Sequence, residues 1–206
     1  MSFWDKIAPA YDLIELVSYF GYKGMRDGIK QIVPEGAKVL DCAAGTGELT
    51  VAAAEKARSV MCSDLSEAML HKSMEKCFRH RFTNVAFQSR NIYELPDKDN
   101  TYDIVIAGNV LHLLDDPVKA VNELCRVTKP GGKIIMPTFL SGEKLSGTVI
   151  TNLYKKFGFA PAHSYDLEEY ERMLSSCNIS RLKITLIDNI IPVGFALAQP
   201  KKSCFK

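Results

Sequence analysis

The stretch VLDCAAGTGE, residues 39–48, decides the fold of this chain. An apolar run leads into a loop of small residues that contains Gly45 and Gly47, and an alanine-rich segment, 48–57, follows it. This order predicts a strand, a tight turn and a helix, a frame that holds nucleotides in many proteins. Dinucleotide loops read G-x-G-x-x-G, whereas this loop reads A-x-G-x-G with Ala43 in the first place. The stretch therefore predicts a nucleotide-like ligand and leaves open which one.

Short apolar runs alternate with longer helical stretches along the rest of the chain. Strands are predicted at 38–43, 59–63, 84–88, 102–107 and from 133 onward, and helices at 48–57, from Ser66, at 117–128, around 147–157 and at 167–177. Two last strand-like runs, 181–189 and 193–199, are separated only by residues 190–192, which predicts an antiparallel hairpin. The expected fold is a doubly wound, mostly parallel, seven-stranded α/β sheet of the Rossmann-like kind, closed by that hairpin.

Glycine, proline and apolar spacing predict several local features. The segment 2–33 is expected to form two or more short helices, because it is interrupted by Gly21, Gly24 and Gly28. In the helix from Ser66, one buried stripe is predicted from the spacing of Leu70, Met74, Cys77 and Phe78. A turn is predicted at 129–132, and the following strand is expected to fray or bulge at Pro137, which lacks an N–H group.

Composition excludes several classes of function. The chain has 206 residues, 47% of them hydrophobic, which fits one globular domain. The net charge of +2 provides no basic field for nucleic acid, and no apolar run approaches the ~18 residues that span a membrane. The N-terminus does not resemble a signal peptide. The six cysteines form no C-x-x-C pair, so we expect no metal site and a cytoplasmic protein with reduced thiols.

Polar residues follow the ends of three predicted strands. Asp64 ends the second strand, where a carboxylate can accept hydrogen bonds from a ribose. Asn91 and Ile92 follow the third strand, and an amide beside an apolar residue suits the edge and face of an adenine. Asn109 and His112 follow the fourth strand. Ligands of doubly wound sheets lie outside the carboxyl ends of the strands, so we expect these residues to surround one site.

Taken together, these motifs resemble the class I S-adenosylmethionine-dependent methyltransferases over nearly the whole chain. The resemblance rests on LDCAAGTGE (40–48), DLSEAML (64–70), NIYELPDKDNTYDIV (91–105), NVLHLLDDP (109–117) and RVTKPGGKI (126–134). It is nearest to the broad type 11 group that includes the quinone-biosynthesis C-methyltransferases, which also tend to have alanine at the first loop position. The resemblance implies S-adenosylmethionine as the cofactor and a small molecule as the methyl acceptor.

The resemblance also implies which residues hold the cofactor. Those at its methionine end are Asp41, Ala43, Gly45, Gly47, Asn109 (largely through its backbone) and Leu111. Those at the adenosine are Asp64 on the ribose hydroxyls and Leu65, Met69, Asn91 and Ile92 around the adenine. Tyr11, in an N-terminal Tyr-Asp element, would lie over the cofactor. The single domain then divides into a helical lid (1–33), a cofactor-binding core (38–139), a helical substrate-side segment (140–180) and the closing hairpin (181–199).

The chain departs from the family pattern at two positions. Asn91 stands where aspartate is common, which keeps an acceptor for the adenine amino group but removes the charge. The quinone enzymes carry an arginine-asparagine pair after the fourth strand, whereas this chain reads Gly108-Asn109. The missing arginine argues against a quinone acceptor and leaves the cofactor assignment intact.

The predicted reaction is methyl transfer to a small molecule by in-line displacement. A base is needed only if the acceptor keeps its proton, and His112 is the best-placed candidate unless it packs beneath the lid. One alternative is a protein that binds the cofactor without catalysis. A second is an NAD-dependent oxidoreductase, which the incomplete glycine loop disfavours. A third, a nucleic-acid methyltransferase, would carry an Asn-Pro-Pro-aromatic motif that is absent here. The acceptor and the oligomeric state stay open.

Overall fold

The computed structural model describes residues 19–141, 162–187 and 192–201. Tyr11 and the helix predicted around 147–157 lie outside these residues. The described elements, in chain order, are α1 (Tyr19–Ile32), β1 (Lys38–Cys42), α2 (Glu48–Ala54), β2 (Ser59–Asp64), α3 (Glu67–Arg79), β3 (Val85–Ser89), β4 (Tyr102–Ile106), a 3-10 turn (Leu111–Leu113), α4 (Pro117–Val127), β5 (Thr128–Phe139), α5 (Leu167–Ser175), β6 (Ile179–Ile187) and β7 (Val193–Pro200). No helix among them is both long enough and apolar enough to cross a membrane.

The seven strands form one sheet in the order β3-β2-β1-β4-β5-β7-β6. The first five pair in parallel, and β7 runs antiparallel to both β5 and β6. The chain reverses direction across β1, because β2 and β3 lie on one side of it and β4 and β5 on the other. This arrangement confirms the predicted doubly wound sheet with its closing hairpin, and it places the switch point between β1 and β4.

The two faces of the sheet bury separate apolar cores. Along β1, Val39 packs into a cluster with α1 and α2, whereas its neighbour Leu40 packs into a second cluster with α4 and α5. This alternation is the period of two that a strand imposes. Cys42 and Cys62 are buried free thiols in the strands, as their apolar surroundings predicted. The helices thus cover both faces and leave the carboxyl ends of the parallel strands as the natural place for a ligand.

The predicted interruption of the N-terminal helices is wrong for the part that is described. The helix α1 runs continuously through its glycines from residue 19 to residue 32. A Cβ atom on Gly24 would lie 2.8 Å from Cγ2 of Ile187, and one on Gly28 would lie 2.7 Å from Cζ of Phe195. These two glycines therefore let α1 approach the hairpin β6–β7 closely, and they do not break the helix.

The stripe predicted for α3 is only half right. Leu70 and Cys77 are buried, but Met74 is 47% exposed and Phe78 is 82% exposed. The buried face passes instead through Ser73, which packs against the glycine loop and hydrogen-bonds Cys62. The small side chain of Ser73 permits this close approach, and the face that carries Met74 and Phe78 is turned toward solvent.

The fifth strand is longer than predicted at both ends. The turn expected at 129–132 is an irregularity within β5, where the register with β4 shifts between Tyr102, opposite Thr128, and Ile104, opposite Lys133. Beyond it, Pro137 pairs opposite Phe195 in the antiparallel ladder with β7 and the strand continues to residue 139. The expected fraying at the proline is therefore wrong, because the hairpin pairs with this end of the strand.

Candidate active site

One cavity opens at the carboxyl ends of β1, β2 and β4, where the sheet topology predicts a ligand. Its lining comes from α1, the loop after β1, the start of α2, the ends of β2 and β3, and the segment after β4. The described lining residues are Tyr22, Asp41, Ala43, Ala44, Gly45, Thr46, Glu48, Leu49, Asp64, Leu65, Met69, Arg90, Asn91, Ile92, Tyr93, Gly108, Asn109, Val110, Leu113 and Leu114.

The loop after β1 turns through three left-handed residues. Ala43, Gly45 and Gly47 have φ angles of 55°, 56° and 87°. Ala43 adopts this conformation although it carries a Cβ atom, which costs ~1–2 kcal/mol relative to a right-handed residue. The next residue compensates by tying the loop to the neighbouring strand, since the Ala44 N–H donates to the Ser63 carbonyl at 2.9 Å. This hydrogen bond ties the loop to the end of β2.

Asp64 joins this loop to the start of α3. One carboxylate oxygen accepts the Gly45 N–H at 2.9 Å, and the other accepts the Ser66 N–H at 2.9 Å. Ser66 in turn caps α3 by accepting the Met69 N–H. A carboxylate offers about four lone-pair sites, and Asp64 lines the cavity.

Asp41 is a buried carboxylate at the end of β1. It accepts a hydrogen bond of 2.5 Å from the Thr50 hydroxyl on α2 and is almost fully enclosed. Burial raises the pKa of Asp41 to about 7, and the nearby charge of Asp64 adds to the rise, while the bond from Thr50 opposes it. A cationic group in the cavity would favour the ionised form of Asp41.

Glu48 connects three helices at the mouth of the glycine loop. As the first residue of α2, it accepts from the Arg26 guanidinium of α1 at 2.5 Å and from the Lys76 ammonium of α3 at 2.7 Å. The Lys76 ammonium also donates to the Thr46 hydroxyl at 3.2 Å. Burial alone would raise the pKa of Glu48, but the hydrogen bonds and charges of its two cationic partners outweigh it and hold the pKa below its usual range. Arg26 on α1 and Lys76 on α3 therefore hold the end of the loop through Glu48.

The far end of the cavity, beside β2 and β3, combines apolar and polar side chains. Leu65 is 70% exposed at the rim, whereas Met69 and Ile92 are buried. The Asn91 side-chain oxygen accepts the Tyr93 N–H at 3.0 Å, which fixes the orientation of the carboxamide. This end offers two apolar faces and one oriented amide, an arrangement that suits a planar heterocycle.

Asn109 uses its side chain for structure. Its oxygen accepts the Phe139 N–H at 3.2 Å, and its nitrogen lies 3.8 Å from the Met25 sulfur. The residue is left-handed, with φ at 53°, and its own N–H donates to the Pro137 carbonyl at 2.8 Å. Asn109 thus joins the end of β4 to β5 and α1, and it also lines the cavity.

Most of the residues predicted for the site lie around this one cavity, but Gly47 and Leu111 do not. A Cβ atom on Gly47 would lie 2.2 Å from the Ser73 oxygen, so this glycine serves the packing of α2 against α3. Leu111 is buried in the core, and Leu113 and Leu114 line the cavity instead. A 3-10 turn places Leu111 and Leu113 on different sides, which the sequence spacing did not reveal.

The candidate base His112 does not line the cavity. Its Nδ1 atom lies 3.1 Å from the Thr138 hydroxyl, and its backbone carbonyl accepts the His163 N–H at 3.0 Å. Burial lowers the pKa of His112 to about 4, so the ring is uncharged at neutral pH. These contacts favour a packing role beneath the segment that follows β4.

Several lining residues were not predicted. Tyr22 lies outside every quoted motif. Thr46, Glu48, Leu113 and Leu114 fall within the quoted stretches but were not assigned to the site. Arg90 directly follows β3 and is paired with Asp97. The signal for Glu48 and Leu49 was their place directly after the glycine loop, because the first turn of a helix that follows such a loop faces the ligand.

The donors and acceptors of the cavity fit S-adenosylmethionine. Asp64 presents a fixed carboxylate suited to a ribose diol, and Asp41 presents a buried carboxylate that a cation would stabilise. The Asn91 end suits an adenine. Asp41 and Asp64 lie on the neighbouring strands β1 and β2, and Asn91 follows β3, next to β2.

A family model described as a methyltransferase domain matches residues 34–178 of the chain. These residues include all described parts of the cavity wall except Tyr22.

Named relatives and solved structures agree with this match. The chain is 31% identical over 213 residues to a demethylmenaquinone methyltransferase from Anoxybacillus flavithermus, with 98% of this chain and 89% of that protein covered. It is 37% identical over 138 residues to a demethylmenaquinone methyltransferase from Shouchella clausii, with 64% of this chain but only 59% of that protein covered. A solved S-adenosylmethionine-dependent methyltransferase from Aquifex aeolicus superimposes with a TM-score of 0.72 at 22% identity, covering 94% of this chain and 97% of that chain.

Proposed function

The chain belongs to the methyltransferase-domain family, within the class I S-adenosylmethionine-dependent methyltransferases, and we propose that it transfers a methyl group from S-adenosylmethionine to a small-molecule acceptor. The observation that carries the proposal is the pair of carboxylates at neighbouring strand ends. Asp64 is oriented by two backbone N–H groups, and Asp41 is buried with a raised pKa. A ligand with a ribose diol and a cationic amino acid end satisfies both.

The protein's part in the reaction is to bind, orient and exclude water. The bound cofactor would supply an activated methyl group, which an acceptor takes by in-line displacement as the electron pair of the broken bond returns to sulfur. Asp64, Asn91 and the apolar faces near Ile92 would hold the adenosine, while Asp41 and the loop 43–46 would hold the methionine end. Positioning two reactants in this way contributes ~7–11 kcal/mol to lowering a barrier.

The described residues favour an acceptor that loses its proton readily. His112, the candidate base, lies outside the cavity wall, and its pKa of about 4 makes it a weak proton acceptor. Asp41 and Asp64 are assigned to the cofactor. We therefore expect an acceptor that ionises without a strong base, such as a thiol, an acidic phenol or a quinol.

A quinol is included because the relatives are named demethylmenaquinone methyltransferases. Position 108, where the quinone enzymes carry arginine, is glycine in this chain and argues for a different acceptor. The alternative to an enzyme is a protein that binds the cofactor without transferring its methyl group.

A screen with methyl-labelled S-adenosylmethionine tests this proposal. Thiols, phenols and quinols are incubated in turn with the full chain, and label is measured in the extracted small molecules. We expect labelled product from at least one class and less of it with Asp64→Ala at a cofactor concentration below saturation. Tight cofactor binding without label transfer to any class would favour the non-catalytic alternative.

A further inference from the structure

A glycine and a leucine share one space at the β4 end of the cavity. Gly108 follows β4 and lines the cavity, and a Cβ atom on it would lie 2.4 Å from Cδ1 of Leu49 and 3.7 Å from Cγ of Pro137. Gly108 does not have a positive φ angle, so a larger residue here would collide with the end of the Leu49 side chain without straining the backbone. Leu49 occupies the volume that any side chain at position 108 would need.

The backbone of Leu49 is held in place by the contacts of its helix. Leu49 is the second residue of α2, directly after Glu48, which is held by Arg26 and Lys76. Leu49 is also buried in the core cluster that includes Tyr22. An atom added at position 108 would therefore push the Leu49 side chain toward the open side, which is the cavity.

The neighbouring surface at this end of the cavity is mainly apolar. The Tyr22 ring packs edge-to-face on Phe139, with ring centroids 5.9 Å apart. The other described residues that line this end are Val110, Leu113, Leu114 and Asn109, whose carboxamide contacts Phe139 and Met25. Two acidic residues border this end, since Asp41 lies opposite Ile106 of β4 and Glu48 directly precedes Leu49, whereas Asp64 ends β2 and Arg90 directly follows β3.

We propose that Leu49 and Gly108 form the specificity-determining wall of the acceptor site, and that this wall receives an uncharged, apolar part of the acceptor. The inference rests on the proposed function, because a cofactor with its adenosine at β2 and its methionine end at the β1 loop brings its methyl group toward β4. A carboxylate or phosphate against this wall would lose its water without gaining a partner. The shared space also fits the glycine at position 108, since a side chain there would have to displace the end of the Leu49 side chain.

The charge preference is tested by calorimetry with two probes of equal ring size. The full chain is first saturated with S-adenosylhomocysteine and then titrated at pH 7.5 with 1-naphthol, which is neutral, or with 1-naphthoate, which is anionic. We expect 1-naphthol to bind at least about tenfold more tightly than 1-naphthoate. Equal affinities for the two probes, or no binding of 1-naphthol, would overturn the proposed acceptor wall and leave the assignment of the cofactor site unchanged. Failure to bind S-adenosylhomocysteine would overturn both the proposed function and the wall.

The shared space is tested with single and double variants. Gly108→Ala should weaken 1-naphthol binding about tenfold, and more than it weakens S-adenosylhomocysteine binding. Adding Leu49→Ala to Gly108→Ala removes the colliding methyl group and should restore 1-naphthol affinity to within about threefold of the parent. Val51→Ala, a buried change on the same helix that lies outside the cavity wall, is the matched control. An unchanged affinity of Gly108→Ala for 1-naphthol, or a double variant that binds 1-naphthol more weakly than Gly108→Ala, would overturn the proposal.

Discussion

At the scale of single residues, Asp41 makes the stability of the protein depend on pH. Its pKa rises from the ordinary 3.8 to about 7 on folding, mainly through burial. Between these values the folded chain binds a proton that the unfolded chain has lost, so this group's contribution to stability is full below about pH 4 and is lost as the pH rises to about 7. The slope is at most about 1.4 kcal/mol per pH unit.

We expect Asp41→Asn to remove this dependence. Urea unfolding of both proteins between pH 4 and pH 8 should show the parent losing stability relative to Asp41→Asn up to about pH 7, with a constant difference above it. Asparagine keeps an acceptor for the Thr50 hydroxyl, which makes the substitution a test of charge. Parallel stability curves across the whole range would contradict the raised pKa.

Asp64 is the residue on which the cofactor assignment depends most. Asp64→Ala removes the acceptor for the ribose and the two bonds from Gly45 and Ser66, so we expect S-adenosylhomocysteine binding to weaken by about 1–3 kcal/mol or more. Isothermal calorimetry measures the change, and a thermal melt of the variant shows whether it remains folded. An unchanged affinity in a folded variant would mean that the ribose lies elsewhere.

The sequence identified strand-end residues better than residues whose role depends on packing. Asp64 and Asn91 were predicted for the site from their places at or just past strand ends, Asp41 was predicted from the family resemblance, and all three line the cavity. Gly47 was assigned to the ligand but packs on Ser73, which lies 26 residues later in the sequence. No local pattern reports such a contact, because it depends on how α2 and α3 meet.

At the scale of secondary-structure elements, the ion pairs of Glu48 hold α1, α2 and α3 together around the loop. Glu48→Gln keeps the size of the side chain and removes its charge, so we expect a loss of about 1–2 kcal/mol in the free energy of unfolding at pH 7 and weaker S-adenosylhomocysteine binding. Because the pKa of Glu48 is lowered on folding, its contribution is present above the ordinary value of 4.5 and is lost as the pH falls below it.

Urea unfolding at pH 7 and at about pH 3 checks this expectation, with the parent and variant converging at the acid end. Lys23→Gln is the matched control, because the Lys23–Asp27 pair on α1 is 57% and 50% exposed and contributes little. If Lys23→Gln lost as much stability as Glu48→Gln, the stabilising effect of the Glu48 ion pairs would not depend on their buried position.

The order of elements was predictable, but the distances between them were not. Apolar runs and turn signals located the strands to within a few residues, because those signals are local. The insertion of β7 between β5 and β6 depends on pairing across some sixty residues of chain, and Gly28 was interpreted as a helix break because its partner, Phe195, is remote in sequence. Likewise, the exposed Phe78 follows helical spacing but lies on the face that turns away from the sheet.

At the scale of the whole molecule, the topology places a switch point between β1 and β4, and the cavity lies at that point. The loop after β1 lacks the glycine pattern that wraps a pyrophosphate, and its left-handed turn is instead tied to β2 through Ala44 and Asp64. Fold, loop and carboxylates together therefore favour S-adenosylmethionine over a dinucleotide.

The most direct test of this central claim is calorimetric titration of the full chain with S-adenosylhomocysteine and, separately, with NAD. We predict saturable, one-to-one binding of S-adenosylhomocysteine and an affinity for NAD that is at least about a hundredfold weaker, a difference of roughly 2.7 kcal/mol. NAD binding as tight as that of S-adenosylhomocysteine, or no binding of S-adenosylhomocysteine by the folded protein, would contradict the account.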